Sequence, residues 1–353
     1  MAQDGEMQGS ISFMGEQGII RLIQEVAEIC HAAISPQLGV DDVAVTSMEN
    51  HRQNCQLVWT SDSMQEGTHF RFWPLLKSTP LNWLGQKLAL CNLSDLAAKG
   101  AKPRFALLNL GLPKNGDITK LREFLEGMFA VFAENHITLL GGDTYACTSW
   151  NVSLTMVGEL PHNLTVPSRN YGKPNDNLYI TGALGASRQG LKLLEESIAL
   201  QAEAKVELPQ TVLAHLYIPN RLKIGQALAK ISLWLAMMDC SDGLLDDSQK
   251  LAVASGLGAK IFLEAIPVDP RLTEAVPDEK AARQIALLGG EDYELLFASP
   301  LNPEELIASL TNLSVTDTPI GQIGFLTEDK SYLVVDEDNR PISLNEIIPF
   351  KHF

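Results

Sequence analysis

At 353 residues the chain exceeds what one ordinary hydrophobic core organises, so two domains are expected. Its composition, 45% hydrophobic and 20% charged, is that of a globular protein, and a formal charge of −16 argues against a nucleic-acid partner, whose phosphates need a positive footprint. No apolar run approaches the roughly 18–20 residues of a membrane span. No basic-then-apolar leader pattern opens the chain, and Cys30, Cys55, Cys91, Cys147 and Cys240 form no CxxC pair, which predicts reduced thiols and a cytoplasmic location.

Residues 1–14 are polar and unpatterned and read as a flexible extension. Ile19, Leu22, Val26, Ile29 and Ala33 recur at helical spacing and predict a first helix. Val43–Val45 and Gln56–Thr60 read as strands, the second running into Ser61-Asp62. A second helix is expected over residues 81–99, with the stripe Leu84, Leu88, Cys91 and then Asp95. A carboxylate on that stripe is costly to bury unpaired, so either the helix has ended there or Asp95 faces a site. Phe105–Leu110 is an expected strand and residues 118–132 a third helix. Thr138–Leu140 and Val152–Val157 are expected strands flanking a Gly141-Gly142-Asp143 turn.

The Pro-, Asn- and Gly-rich stretch 159–176 marks a domain boundary, dividing the chain into residues 15–160 and 161–353. Beyond it, strands are expected at 177–181, 233–238, 259–263 and 294–298, and helices from 186 to about 198 and over 219–230, 244–255 and 303–311. Mixed elements in both halves, without a short repeat, give an α+β or α/β class.

Five short acidic clusters punctuate this pattern: Asp41-Asp42, Thr60-Ser61-Asp62, Asn92-Leu93-Ser94-Asp95, Gly141-Gly142-Asp143 and Asp239-Cys240-Ser241-Asp242-Gly243. Carboxylates brought together repel unless a cation lies between them, and an oxygen-only site suits Mg²⁺, which shares its coordination with substrate phosphates. Phosphoryl transfer is the chemistry this suggests. Taken singly, each cluster also has a plainer reading: Ser241 or Asp242 as the N-cap of the helix that follows, the Gly-Gly-Asp as a tight turn, Thr-Ser-Asp as a strand end, Asp41-Asp42 as a solvated pair and His69 as a surface histidine. Gly289-Gly290-Glu291-Asp292-Tyr293 combines close backbone approach, two acids and a flat ring, or is simply a loop entering a strand. No P-loop, H-E-x-x-H or G-x-S-x-G occurs, which removes P-loop, zinc-hydrolase and serine-esterase readings.

In this order, the stretches Lys87–Pro103 (KLALCNLSDLAAKGAKP), Leu140–Thr144 (LGGDT), Asp239–Leu245 (DCSDGLL) and Leu288–Phe297 (LGGEDYELLF) resemble the thiamine-monophosphate kinase family of the AIR-synthetase-like (PurM-like) ATP-binding superfamily. The resemblance runs from about Gly15 to Phe353. It implies a two-domain PurM-like fold, with an N-terminal mixed sheet and helices forming a homodimer and a C-terminal α/β domain. The implied activity is transfer of the ATP γ-phosphate to thiamine monophosphate, assisted by several Mg²⁺ ions. By matched position it implies the metal ligands Asp42, Thr60, Ser61, Asp62, Asp95, Asp143, Asp239 and Asp242, with Asp95, Asp143 and Asp239 catalytic. It further implies ATP contacts at Gly142, Asp143, Arg169 and Ser241, and acceptor contacts at His69, Glu291 and Phe350. The chain departs from the family pattern at Val40, Ser61, Ala186 and Tyr217. Two competing readings are another enzyme of the superfamily, which should lack the E-G-x-H-F and GGEDYEL pairing, and a non-catalytic nucleotide- or metal-binding protein.

Overall fold

A computed structural model describes residues 44–47, 55–200, 207–232 and 234–342. The expected first helix, the N-terminal extension, Val40, Asp42 and Phe350 lie outside these residues.

The first half builds a five-stranded sheet from β1 (Ala44–Ser47), β2 (Cys55–Gln65), β3 (Lys102–Pro113), β4 (Thr138–Cys147) and β5 (Asn151–Pro161), in the order β1-β2-β5-β3-β4. Two helices, α1 (Asn82–Ala98) and α2 (Ile118–Asn135), pack together, and α1 lies against the strands. Strand alternation decides what each side chain meets. Val58 and Thr60 of β2, Val152, Leu154 and Met156 of β5, and Ala106, Leu108 and Leu110 of β3 are buried toward the helices. Trp59, Phe105 and Leu107 alternate with them on the opposite, open face and remain 38%, 39% and 42% exposed.

The second half carries a six-stranded sheet of β6 (Asn177–Thr181), β7 (Ala236–Cys240), β8 (Gly258–Phe262), β9 (Glu294–Ser299), β10 (Ile320–Thr327) and β11 (Tyr332–Val335), in the order β11-β8-β10-β6-β9-β7. Only the β8–β11 pair is parallel. Its helices are α3 (Ala186–Leu200), α4 (Gln210–Leu216), α5 (Leu222–Ile231), α6 (Leu244–Ala254), α7 (Pro270–Ala275), α8 (Glu279–Leu288) and α9 (Pro303–Asn312). β7 and β9 are buried along their whole length. On one face Tyr179, Met237, Leu295 and Phe297 join the core that includes α1, and on the other Leu178, Met238, Leu296 and Ala298 form a separate core with Leu244 and Leu251 of α6. Asp239 shares its face with Met237 and so points toward the first half.

Three sequence expectations change. β2 continues through Thr60-Ser61-Asp62 instead of ending there. Gly141-Gly142-Asp143 is not a turn but lies inside β4, where a Cβ on Gly142 would stand 1.6 Å from the Leu108 carbonyl oxygen. Glycine is there because the neighbouring strand comes too close for a side chain. β7 spans Ala236–Cys240, so Asp239 is part of the strand and does not follow it.

Candidate active site

The long helix α1 joins the two halves. Nearly all its residues are buried, and a polar stripe runs down it through Lys87, Cys91, Ser94 and Asp95 at spacings of three and four residues. Two members meet the segment 289–293, one meets β7 and one meets β2. The Lys87 ammonium contacts Glu291, Cys91 pairs with the Tyr293 side chain, Ser94 donates to Asp239 and Asp95 accepts from Thr60. The helix therefore continues past Asp95, whose carboxylate meets Thr60 of β2. From Lys87 to Ser94 the stripe covers about 10 Å along the helix axis.

At its C-terminal end the stripe gathers oxygen donors. Thr60 Oγ1 donates to Asp95 Oδ2, and Asp62, one pleat further along the same face of β2, raises the pKa of the buried Cys91 thiol, second only to burial itself. Ser94 Oγ donates to Asp239 Oδ2 at 3.1 Å across the boundary between the sheets. Ser61 takes no part in this group. Alternation turns its side chain to the open face, where its hydroxyl pairs with Thr155 at 2.9 Å. Asp143 lies on that open face too, opposite Asn109, whose Oδ1 accepts from the Asp143 N–H at 3.1 Å. Three inter-strand spacings, about 14 Å, separate β4 from β2. One chain thus divides the expected acidic set between two faces of its first sheet.

After β7 the chain reaches α6 through Gly243, whose φ of 112° only glycine adopts readily. Gly243 is the N-cap residue, and neither Ser241 nor Asp242 caps the helix. Instead Asp247, one turn into α6, accepts the Asp242 N–H at 3.0 Å. Lys250 donates to Asp247 at 2.9 Å and also to the Asp242 carboxylate. Burial pushes Asp247 up to about 6 despite that lysine. Asp242 is thereby held by an ammonium group on the α6 side.

The GGEDYEL segment is laced onto the end of β7: the Glu291 N–H donates to Ser241 O at 2.6 Å and the Tyr293 N–H to Cys240 O at 2.9 Å. Glu291 and Tyr293 hold left-handed backbones, φ 65° and 53°, a strained choice for residues with side chains and one that clusters at functional sites. Tyr293 is turned inward to Cys91. Asp292 accepts from the Gly185 N–H at 2.9 Å, at the start of α3, and burial pushes its carboxyl up to about 8. Glu294 forms a fork with Arg221, at 2.5 and 2.6 Å, and accepts from Thr181 Oγ1 at 2.6 Å.

Glu291 sits in a buried group absent from the sequence expectations. Lys87 Nζ donates to Glu291 Oε2 at 2.7 Å and to the His215 carbonyl at 2.8 Å, and lies 3.4 Å from His215 Nε2. Ser187 Oγ is 3.1 Å from His215 Nδ1. Burial, followed by the Lys87 charge, drops His215 to about 3 and keeps the ring neutral. The one available signal for Lys87 was a cation on the α1 stripe, four residues before Cys91 and eight before Asp95.

His69 is half-buried in the turn after β2, its Nδ1 accepting from the Gln65 N–H at 3.1 Å, which leaves the proton of the neutral ring on Nε2. Just beyond, Arg71, Trp73, Lys77 and Lys120 line a cleft of about 570 Å³. Trp73, at its base, packs edge-on against His215 with ring centres 6.4 Å apart. The backbone of Arg169 stands elsewhere: the Ser168 N–H donates to Leu235 O, before β7 begins, while Ser241 follows its far end, roughly 16 Å along the strand.

The donors at the C-terminal end of the stripe, the carboxylates of Asp95 and Asp239 with the hydroxyls of Thr60 and Ser94, suit a hard cation such as Mg²⁺. Among the described residues, no three histidine, cysteine or carboxylate side chains already form a ligand cluster.

The chain matches the models for AIR synthase related proteins, the N-terminal domain over residues 40–160 and the C-terminal domain over 173–335. It is 33% identical to the thiamine-monophosphate kinase of Haemophilus influenzae over 344 residues, 96% of this chain and 98% of that protein. Identity to the Escherichia coli K12 enzyme of the same name is 35% over 88% of this chain and 90% of that one. The solved structure of AaThiL complexed with AMPPCP and TMP superposes with a TM-score of 0.76 at 27% identity, covering 95% of this chain and 96% of that chain. HypE from E. coli, at 19% identity and a TM-score of 0.62 over 84% of this chain and 88% of that one, shares the fold. This chain belongs to the thiamine-monophosphate kinase family of the AIR synthase related proteins.

Proposed function

We infer that the protein phosphorylates thiamine monophosphate with ATP, giving thiamine diphosphate and ADP. The observation that carries this reading is the α1 stripe, where Lys87 holds the Glu291 carboxylate and, about 10 Å further along the helix axis, Ser94 and Asp95 join a group of oxygen donors with Asp239 and Thr60.

In the reaction a terminal oxygen of the acceptor's phosphate attacks the γ-phosphorus in line. The bond to the β–γ bridging oxygen breaks, and its electron pair leaves on ADP. The attacking oxygen is already ionised at neutral pH, so no strong base and no phospho-enzyme are required; positioning and charge neutralisation supply the rate. Asp62, Asp95 and Asp239, with Asp42 outside the described residues, would hold Mg²⁺, which when bound neutralises charge shared between ATP and acceptor. Asp242 would join only on releasing Lys250. The α1 residues fix the rest: Ser94 orients Asp239, Thr60 orients Asp95, and His69 offers Nε2–H to the acceptor. Arg169, Gly142 and Ser241 would face ATP, and Phe350 the acceptor.

The functional unit is a homodimer paired through the open face of the first sheet, which carries Trp59, Phe105, Leu107 and Asp143 and is apolar enough to require cover. The domain boundary falls near residue 160, and the location is cytoplasmic, consistent with Cys55, Cys91, Cys147 and Cys240 being free thiols and with the lack of any membrane-spanning helix among the described residues. Incubation with Mg-ATP and thiamine monophosphate tests the reading. ADP should appear only when both are present, and chelating the magnesium should abolish it; ADP release independent of thiamine monophosphate would overturn the acceptor.

A further inference from the structure

Glu291 reaches the candidate site on a strained backbone, and an isolated buried carboxylate would have no reason to stay there ionised. What holds it is Lys87, at the start of the Lys87–Pro103 stretch, together with His215 and Ser187, which lie outside the family-resembling stretches. The Lys87 ammonium, 3% exposed, has three hydrogens and three acceptors: Glu291 Oε2, the His215 carbonyl and the Nε2 of the neutral His215 ring. His215 Nδ1 then faces Glu291 Oε2 at 3.3 Å and Ser187 Oγ at 3.1 Å. The ring is fixed in turn by the edge of Trp73, which lines the cleft beyond His69. Three elements distant in sequence, α1, α4 and the start of α3, thereby set the direction of a single carboxylate.

We propose that Lys87 and His215 are positioning residues that act through Glu291 to seat the cationic heterocycle of the acceptor, while the acids about 10 Å further along α1 take its phosphate. The inference rests on the kinase reading above. Thiamine monophosphate is positive at its ring and negative at its phosphate, and a carboxylate suits only the ring. The clamp fixes which way the Glu291 carboxylate faces, since Lys87 and His215 both hold its Oε2. His215 contributes a neutral donor, so the pair Lys87–Glu291 gains orientation without gaining charge.

Calorimetric titration of the full-length protein with thiamine monophosphate, and separately with ATP, tests this without turnover. Lys87→Met and His215→Gln should each weaken thiamine monophosphate binding about 10-fold while leaving ATP binding within about 2-fold of wild type. The double variant Lys87→Met/Glu291→Gln should bind the acceptor no more weakly than Glu291→Gln alone, because the lysine works through the carboxylate. His215→Gln removes no charge and keeps the comparison intact if Lys87→Met fails to fold. Unchanged acceptor affinity in His215→Gln, equal losses for ATP and acceptor, or multiplied losses in the double variant overturn the proposal alone. Wild-type protein that binds ATP but not thiamine monophosphate overturns the acceptor assignment and this inference with it.

Discussion

Ser94 of α1 donates its hydroxyl hydrogen to Asp239 of β7 at 3.1 Å, a contact made entirely in the interior between the two sheets. It ties the orientation of a C-terminal carboxylate to an N-terminal helix. Ser94→Ala should therefore lower kcat/KM by about 10-fold, the loss of one hydrogen bond to a charged acceptor. Asp239→Asn should cost at least about 100-fold. Steady-state kinetics beside a thermal melt separates the two from misfolding. Equal effects, or none, would remove Asp239 from the site.

The buried His215 makes stability depend on acid. Its folded pKa, about 3, lies below the ordinary 6.5, so between those values the unfolded chain binds more protons and stability falls as pH falls. The drop reaches roughly 4 kcal/mol once pH reaches 3. The charges facing the ring are Lys87, Glu291 and Arg188. In His215→Gln the urea midpoint should decline less steeply from pH 6.5 to 4 than in wild type; parallel profiles would show that the ring is not buried neutral.

Arg221 and Glu294 form a two-bond fork, and Glu294 is only 3% exposed. Arg221→Ala leaves that carboxylate buried with Thr181 alone and should destabilise by about 3–5 kcal/mol. Adding Glu294→Gln should recover a large part of the loss in equilibrium unfolding.

Gly142 has no room for a methyl group against the Leu108 carbonyl, whereas a Cβ on Gly141 would meet nothing within 4 Å. Both have positive φ, so both alanine variants carry strain, but Gly142→Ala must also part β3 from β4. Its melting temperature should fall several degrees further than that of Gly141→Ala, by roughly 1–3 kcal/mol in stability.

Leu107 is 42% exposed at the centre of the open sheet face. Leu107→Glu should convert the proposed dimer to a monomer in light scattering, without loss of secondary structure, because a charge buried between two apolar faces is costly. A wild-type monomer would contradict this pairing.

Element type was legible wherever periodicity was strong. The Leu84–Asp95 stripe carried both the helix and the anomaly of a carboxylate upon it, and Asp95 does meet Thr60. Misplaced elements share a physical cause. Two adjacent glycines read as a turn because local propensity disfavours a strand, yet the β3–β4 ladder, after a one-residue register shift at Leu140, pairs both of them. Alternation inside β2 turns Ser61 away from Thr60 and Asp62, which a strand ending at Thr60 could not reveal. Lys87–His215 and Arg221–Glu294 join residues 128 and 73 positions apart, and no local pattern encodes such contacts.

The most direct measurement follows the transferred group itself. ATP carrying heavy oxygen in its γ-phosphoryl group is incubated with magnesium, thiamine monophosphate and the protein, and the products are weighed by mass spectrometry. The account requires thiamine diphosphate with the label confined to its terminal phosphoryl group, formed one for one with unlabelled ADP and lost in Asp239→Asn. Labelled inorganic phosphate with no thiamine diphosphate would contradict it.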